Sequence, residues 1–166
     1  MSYFIFGTFV LDEFSERAIQ DVKQAFLDKE LILHINKELE FSSDINKMLL
    51  EHDSDFSTKF CITSFNQKFN SQDILFPFDK YTREELFPNG EDRTRFEELC
   101  AVNLKILKDA IAKAIEIIQL TSVRIFVAEG YDTEFKIVKC NLEAMFEEIL
   151  SQVKNSFFLT STIYEI

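Results

Sequence analysis

Only two histidines occur in the chain, and one of them, His52, stands in Glu-His-Asp-Ser-Asp beside Glu51, Asp53 and Asp55. An imidazole and three carboxylates so close together are ligand types for a divalent cation. The acids would also raise the pKa of the imidazole. The spacing matches no recognised zinc set. A calcium loop counted from Asp44 or Asp53 lacks both the glycine at its sixth position and the glutamate at its twelfth. The segment therefore reads as a solvated acidic turn, and no metal and no cofactor are expected. His34, in Leu-Ile-Leu-His-Ile, reads as a partly buried structural histidine.

Nucleophilic catalysis needs a serine, cysteine or threonine beside a base. The sequence has no Gly-x-Ser-x-Gly turn, and nothing in it selects a pairing of Cys61, Cys100 or Cys140 with a histidine. Each cysteine is flanked by apolar residues. Their odd number cannot close a disulfide framework, so all three read as buried thiols in a reducing cytoplasm. Glycine stands only at 7, 90 and 130, which excludes a phosphate-binding P-loop and a dinucleotide fingerprint. The adjacent carboxylates Glu84/Glu85, Glu97/Glu98 and Glu147/Glu148 do not face each other on a helix and read as solvated faces. Asn103 falls on the apolar side of a long helix, where its amide serves packing. No enzyme is expected from these residues.

The segment Glu129-Gly130-Tyr131-Asp132-Thr133-Glu134 is different in kind. It follows a buried strand, carries three acids, and presents a tyrosine. Acids and a tyrosine on a loop held by a rigid scaffold suit the capture of a basic protein partner. Asp53, Asp55, Glu129, Tyr131, Asp132 and Glu134 are the partner-binding candidates.

These loops need elements to hold them. Tyr3 to Val10 is aromatic and β-branched and reads as a buried strand. Asp12 caps a helix over 13–27 whose Phe14, Ala18, Val22, Ala25 and Phe26 share a face, with Glu16, Gln20, Lys23 and Gln24 in water. Leu31 to Ile35 fits either a strand or the start of a helix reaching Leu39; its shortness favours the strand. Ser43 caps a short helix carrying Ile45, Met48 and Leu49, and Lys59 to Phe65 alternates as a strand. Asp73 to Phe78 reads as another strand, and Pro88, Asn89 and Gly90 as a turn. A long helix over 92–119 follows, with Phe96, Cys100, Leu107, Ile111, Ala114 and Ile118 on one stripe. Val102, Ile106 and Ile117 lie off it, which predicts cover on more than one side. Ser122 to Ala128 is a strand and Phe135 to Val138 a short extended piece. Asn141 then caps a helix with Leu142, Met145, Phe146, Ile149, Leu150 and Val153 in phase, and Phe157 to Ile166 closes the chain as a strand. The order predicts one α/β or α+β domain over 1–166. It would be a mixed sheet of five or six strands packed with about four helices, one of them long and central.

The chain has 166 residues with 29 acids and 18 bases, a net charge of −11. Residues 1–56 hold 12 acids and 5 bases, so −7 of that charge lies in the first third. Residues 57–90 are neutral, and seven of the 19 phenylalanines fall between Phe56 and Phe87. An acidic excess argues against binding nucleic acid directly, and against an anionic membrane surface. Met1 to Leu11 has no basic flank and meets Asp12 and Glu13 too soon for a signal peptide. Lys113 and Glu116 break the most apolar helical stretch. A cytoplasmic protein is expected.

The tail from Val123 through Glu-Gly-Tyr-Asp-Thr-Glu to Phe135, then a helix and Ser161-Thr-Ile-Tyr-Glu-Ile166, resembles the endings of immunity proteins of bacterial contact-dependent growth inhibition systems. The short acidic chain and its α/β pattern share that general character. The resemblance implies a cytoplasmic protein that neutralises a cognate toxin by tight complex formation, and it transfers no residue roles. The toxin would be basic, as a nuclease is, because a nuclease presents a basic cleft to phosphate. Two other classes stay open from the residues alone. One is a small cytosolic enzyme with a site assembled from distant acids and a histidine. The other is an adaptor or oligomer that buries part of the phenylalanine-rich segment.

Overall fold

The computed structural model describes residues 3–9, 16–35, 58–64, 75, 90–119, 123–129, 134–155 and 159–166. The elements in chain order are β1 (Tyr3–Phe9), α1 (Glu16–Leu27), β2 (Leu31–Ile35), β3 (Thr58–Ser64), α2 (Gly90–Ile118), β4 (Val123–Glu129), β5 (Lys136–Lys139), α3 (Leu142–Asn155) and β6 (Thr162–Glu165). The six strands form one sheet in the order β2-β3-β1-β4-β6-β5. Every pairing is antiparallel except β5 with β6. That parallel pair needs a crossover, and α3 supplies it. The architecture is a single α+β domain with a mixed sheet and one long central helix.

Strand alternation decides which side of the sheet the helices cover. Ile5, Leu31, Leu33, Ile35, Phe60, Ile62, Val123, Ile125, Val127 and Tyr164 point to one face and form a single core with all three helices. α2 lies between α1 and α3 and touches both. Its inward stripe is the expected one, with Leu104 and Ala110 added. Ile106 and Ile117 pack at the margin of the core, but Val102 is 54% exposed, so that part of the outer side is open to solvent. α1 buries Val22 and Phe26 as its spacing predicts, and also Ile19, while Lys23 is half-buried rather than exposed. Asn141 caps α3 by accepting the Ala144 amide at 2.8 Å on its Oδ1. Lys108 bonds Glu143 at 2.8 Å, and Arg93 donates to the Lys154 carbonyl at 3.3 Å, tying α2 to both ends of α3. Both α1 and α2 are followed by a residue in the left-handed region, Glu30 at φ 60° and Gln119 at φ 48°. Such residues satisfy or redirect the last helical carbonyls.

Three expectations change. Leu75 is helical, not part of a strand over Asp73 to Phe78. It is fully buried, and its carbonyl accepts the Cys100 thiol at 3.7 Å, so its backbone is committed to α2 rather than to a ladder. The closing strand is Thr162–Glu165 alone. Before it, the Thr160 amide donates to the Gln152 side chain, and the Thr162 hydroxyl donates to the Thr160 carbonyl. Those bonds occupy backbone groups a longer strand would need. Three helices rather than about four have their bounds among the described residues, apart from the single helical Leu75. The short helix after Ser43 and the capping role of Asp12 lie outside them.

Candidate functional site

The register brings the two ends of the acidic 129–134 segment to one end of the sheet. Glu129 is the last residue of β4 and stands opposite Tyr3 at the start of β1. Val127 and Lys136 both lie beside Thr162, the first residue of β6. The chain thus leaves β4 and re-enters β5 at the end where β6 begins. Glu134 is exposed there. Phe135 beside it sets its ring edge-on to Phe126 at 5.9 Å and 74°. Asp53, Asp55, Tyr131 and Asp132 lie outside the described residues.

The face of the sheet opposite the three described helices is layered by cross-strand register. One row runs His34, Cys61, Phe6, Phe126, Ile163, Ile137 through directly paired residues of all six strands. Its middle is apolar and buried, with Phe6 and Phe126 stacked at 4.9 Å. Two residues further along each strand, a polar row runs Lys59, Thr8, Arg124, Glu165, Lys139. Arg124 and Glu165 form a cross-strand ion pair at 3.0 Å. Residues at such opposed positions are the ones whose side chains interact in a sheet.

The cysteine and histidine chemistry left open by the sequence can now be weighed. His34 is half-buried on β2 and pairs in register with Cys61. Its Nε2, however, lies 3.0 Å from the Thr63 hydroxyl. Burial pushes the Cys61 thiol up to about 12, against a smaller lowering by a backbone hydrogen bond from Ile62. Burial does the same to Cys100, again to about 12. Cys140 is half-buried and is also raised, by desolvation first and by Glu148 second. A nucleophilic thiolate needs the opposite shift. Among the described residues no group of three or more His, Cys, Asp and Glu side chains could hold a metal ion. No helix among them is long and apolar enough to cross a membrane.

Charge is distributed unevenly along the chain: residues 1–56 hold 12 acids and 5 bases, and residues 57–90 hold 4 of each. No family model, no curated protein and no solved structure matches the chain.

Sequence reasoning found the extended piece before Asn141 but not its place in the sheet. β5 is an edge strand, and Ile137 on it is 61% exposed, the most exposed large hydrophobic residue described. The signal was available in the sequence: Lys-Ile-Val-Lys is short and ends in lysines, as edge strands do.

Proposed function

We propose that this chain is an acidic cytoplasmic protein that neutralises a basic bacterial toxin, of the nuclease kind, by forming a tight complex with it. The partition of charge carries the reading. Residues 1–56 hold 12 acids and 5 bases, so −7 of the net −11 lies in the first third of the chain, and Glu129, Asp132 and Glu134 cluster again in one short segment. Several charges of the described elements pair with one another, as in Lys105–Asp109, Lys108–Glu143, Lys136–Glu148 and Arg124–Glu165. The acidic excess of the chain is the source of a long-range negative field. Such a field speeds encounter with a basic cleft and repels nucleic acid. Asp53, Asp55, Glu129, Asp132 and Glu134 take the place of substrate phosphates in that cleft, and Tyr131 packs at the centre. The resemblance of the two tail segments to immunity proteins supports the same class. Those segments contain β4 and β6, which are direct neighbours in the sheet.

Co-expression with the product of the gene immediately upstream tests the pairing through complex formation and toxin activity. Complex formation with loss of activity is the expected result; failure to bind or protect removes the pairing. Asp132→Lys is expected to slow association several-fold at low salt, with the difference shrinking as salt rises. Unchanged association kinetics would remove this loop from the interface.

A further inference from the structure

The open edge of β5 has the makings of a second, independent contact. Among the described residues β5 is paired on one side only, parallel to β6. Lys136 donates its amide to the Ser161 carbonyl at 3.0 Å, and Cys140 donates to the Glu165 carbonyl at 3.1 Å. In a parallel ladder the residues that bond the neighbour alternate with residues that face away. The even-numbered residues of β5 therefore serve β6. Ile137 and Lys139 turn their amides and carbonyls toward the open edge. Their side chains lie on the face opposite the three described helices, since Val138 between them joins the core on the helix side. Ile137 is 61% exposed and Lys139 is exposed. Lys136 is held by Glu148 at 3.2 Å.

We infer that this edge accepts an extended segment of a protein partner as a seventh strand. The segment would lay an apolar side chain on Ile137 and a carboxylate beside Lys139. Backbone pairing supplies the attraction in strand addition, and alternate side chains supply the selectivity. The charge on the edge selects the occupant. A second copy of this chain is disfavoured twice. Two chains of net charge −11 repel. Pairing that uses both outward residues also sets the two copies of Lys139 on a diagonal of one face. An acidic, apolar strand carried by a partner of basic net charge meets neither obstacle.

The test uses the whole chain and a short blocked peptide alternating valine and threonine with one central aspartate. Amide hydrogen exchange of Ile137 and Lys139 is followed by NMR as peptide is added. Exchange at both amides is expected to slow about tenfold at saturation, while a peptide with lysine in place of the aspartate has a weaker effect. Ile137→Pro removes an outward amide that β6 does not use, so the sheet should persist and the protection should vanish. Lys139→Glu should reverse the preference between the two peptides and guards against misfolding of the proline variant. No protection at either amide overturns the inference, as does equal protection in Ile137→Pro. Concentration-dependent dimerisation abolished by Ile137→Pro would also overturn it, by giving the edge to a second copy.

Discussion

Gly7 is a position where one added carbon should cost stability. It lies in the middle of β1, opposite Phe60 on β3 and Ile125 on β4. A Cβ built there would overlap the backbone carbonyl of Arg124. It would also sit 2.6 Å from Cζ and 2.8 Å from Cε1 of the Phe60 ring. The ring lies over the glycine and fills the space a side chain would take. The two overlaps differ in how they relax. The ring can tilt away at some loss of packing, whereas the carbonyl belongs to the paired strand and moves only with the ladder. Overpacking of this kind costs about 1–3 kcal/mol. Alanine also restricts the unfolded chain, which returns about 0.4–1 kcal/mol. Because the carbonyl overlap cannot relax without the ladder, the upper part of that range, about 2–3 kcal/mol, applies, and Gly7→Ala should destabilise by about 1–2.5 kcal/mol net. For a chain of this length that lowers the midpoint of thermal unfolding by about 2–10 °C. Urea unfolding followed by far-ultraviolet circular dichroism measures it. Phe60→Leu in the Gly7→Ala background relieves the ring overlap and leaves the carbonyl overlap, so the two changes should be non-additive. An unchanged midpoint in Gly7→Ala, or strict additivity of the pair, would refute the close approach.

The remaining predictions concern the thiols, a cap and a void. Cys61 and Cys100 have pKa values raised from 9.0 to about 12. Their protonated forms stabilise the fold fully below pH 9, and that contribution is lost as pH rises through the folded values. Stability should therefore fall as pH rises from about 9 toward the folded values, because the unfolded thiols ionise first. Alkylation of the native protein at pH 8 should mark Cys140 first, and rapid triple labelling would contradict the burial. Asn141→Ala removes the bond to the Ala144 amide and should cost about 1 kcal/mol in chemical unfolding. Val22→Ile adds one methylene beside an apolar cavity of about 30 Å³ lined by Phe26, Leu33, Ile111 and Ala114 among others. It should stabilise by about 0.8 kcal/mol; a loss of stability would mean that the space is already filled.

Much of the fold is legible because its signals are local. The period of α2, the apolar run of β4 and the cap at Asn141 each lie within a few residues of the atoms they govern. The isolated Gly7 inside an aromatic strand was also a readable sign of close backbone approach. What could not be read is decided between distant segments. The insertion of β6 between β4 and β5 depends on how α3 returns the chain, not on any residue in Lys-Ile-Val-Lys. Leu75 lies in a short apolar run that suits a strand, yet its carbonyl is engaged by Cys100 on α2. The same limit applies to the site. Sequence alone marks Glu129 and Glu134 as acids near a turn, whereas register sets them at the sheet end where β6 begins.

The proposed toxin neutralisation is tested most directly by titrating the purified chain into the C-terminal domain of any secreted toxin encoded immediately upstream, with the toxin's activity, such as nuclease cleavage, as the readout. A stoichiometric loss of activity is expected, with an association rate that falls steeply with added salt. Full activity in the presence of excess chain would contradict it.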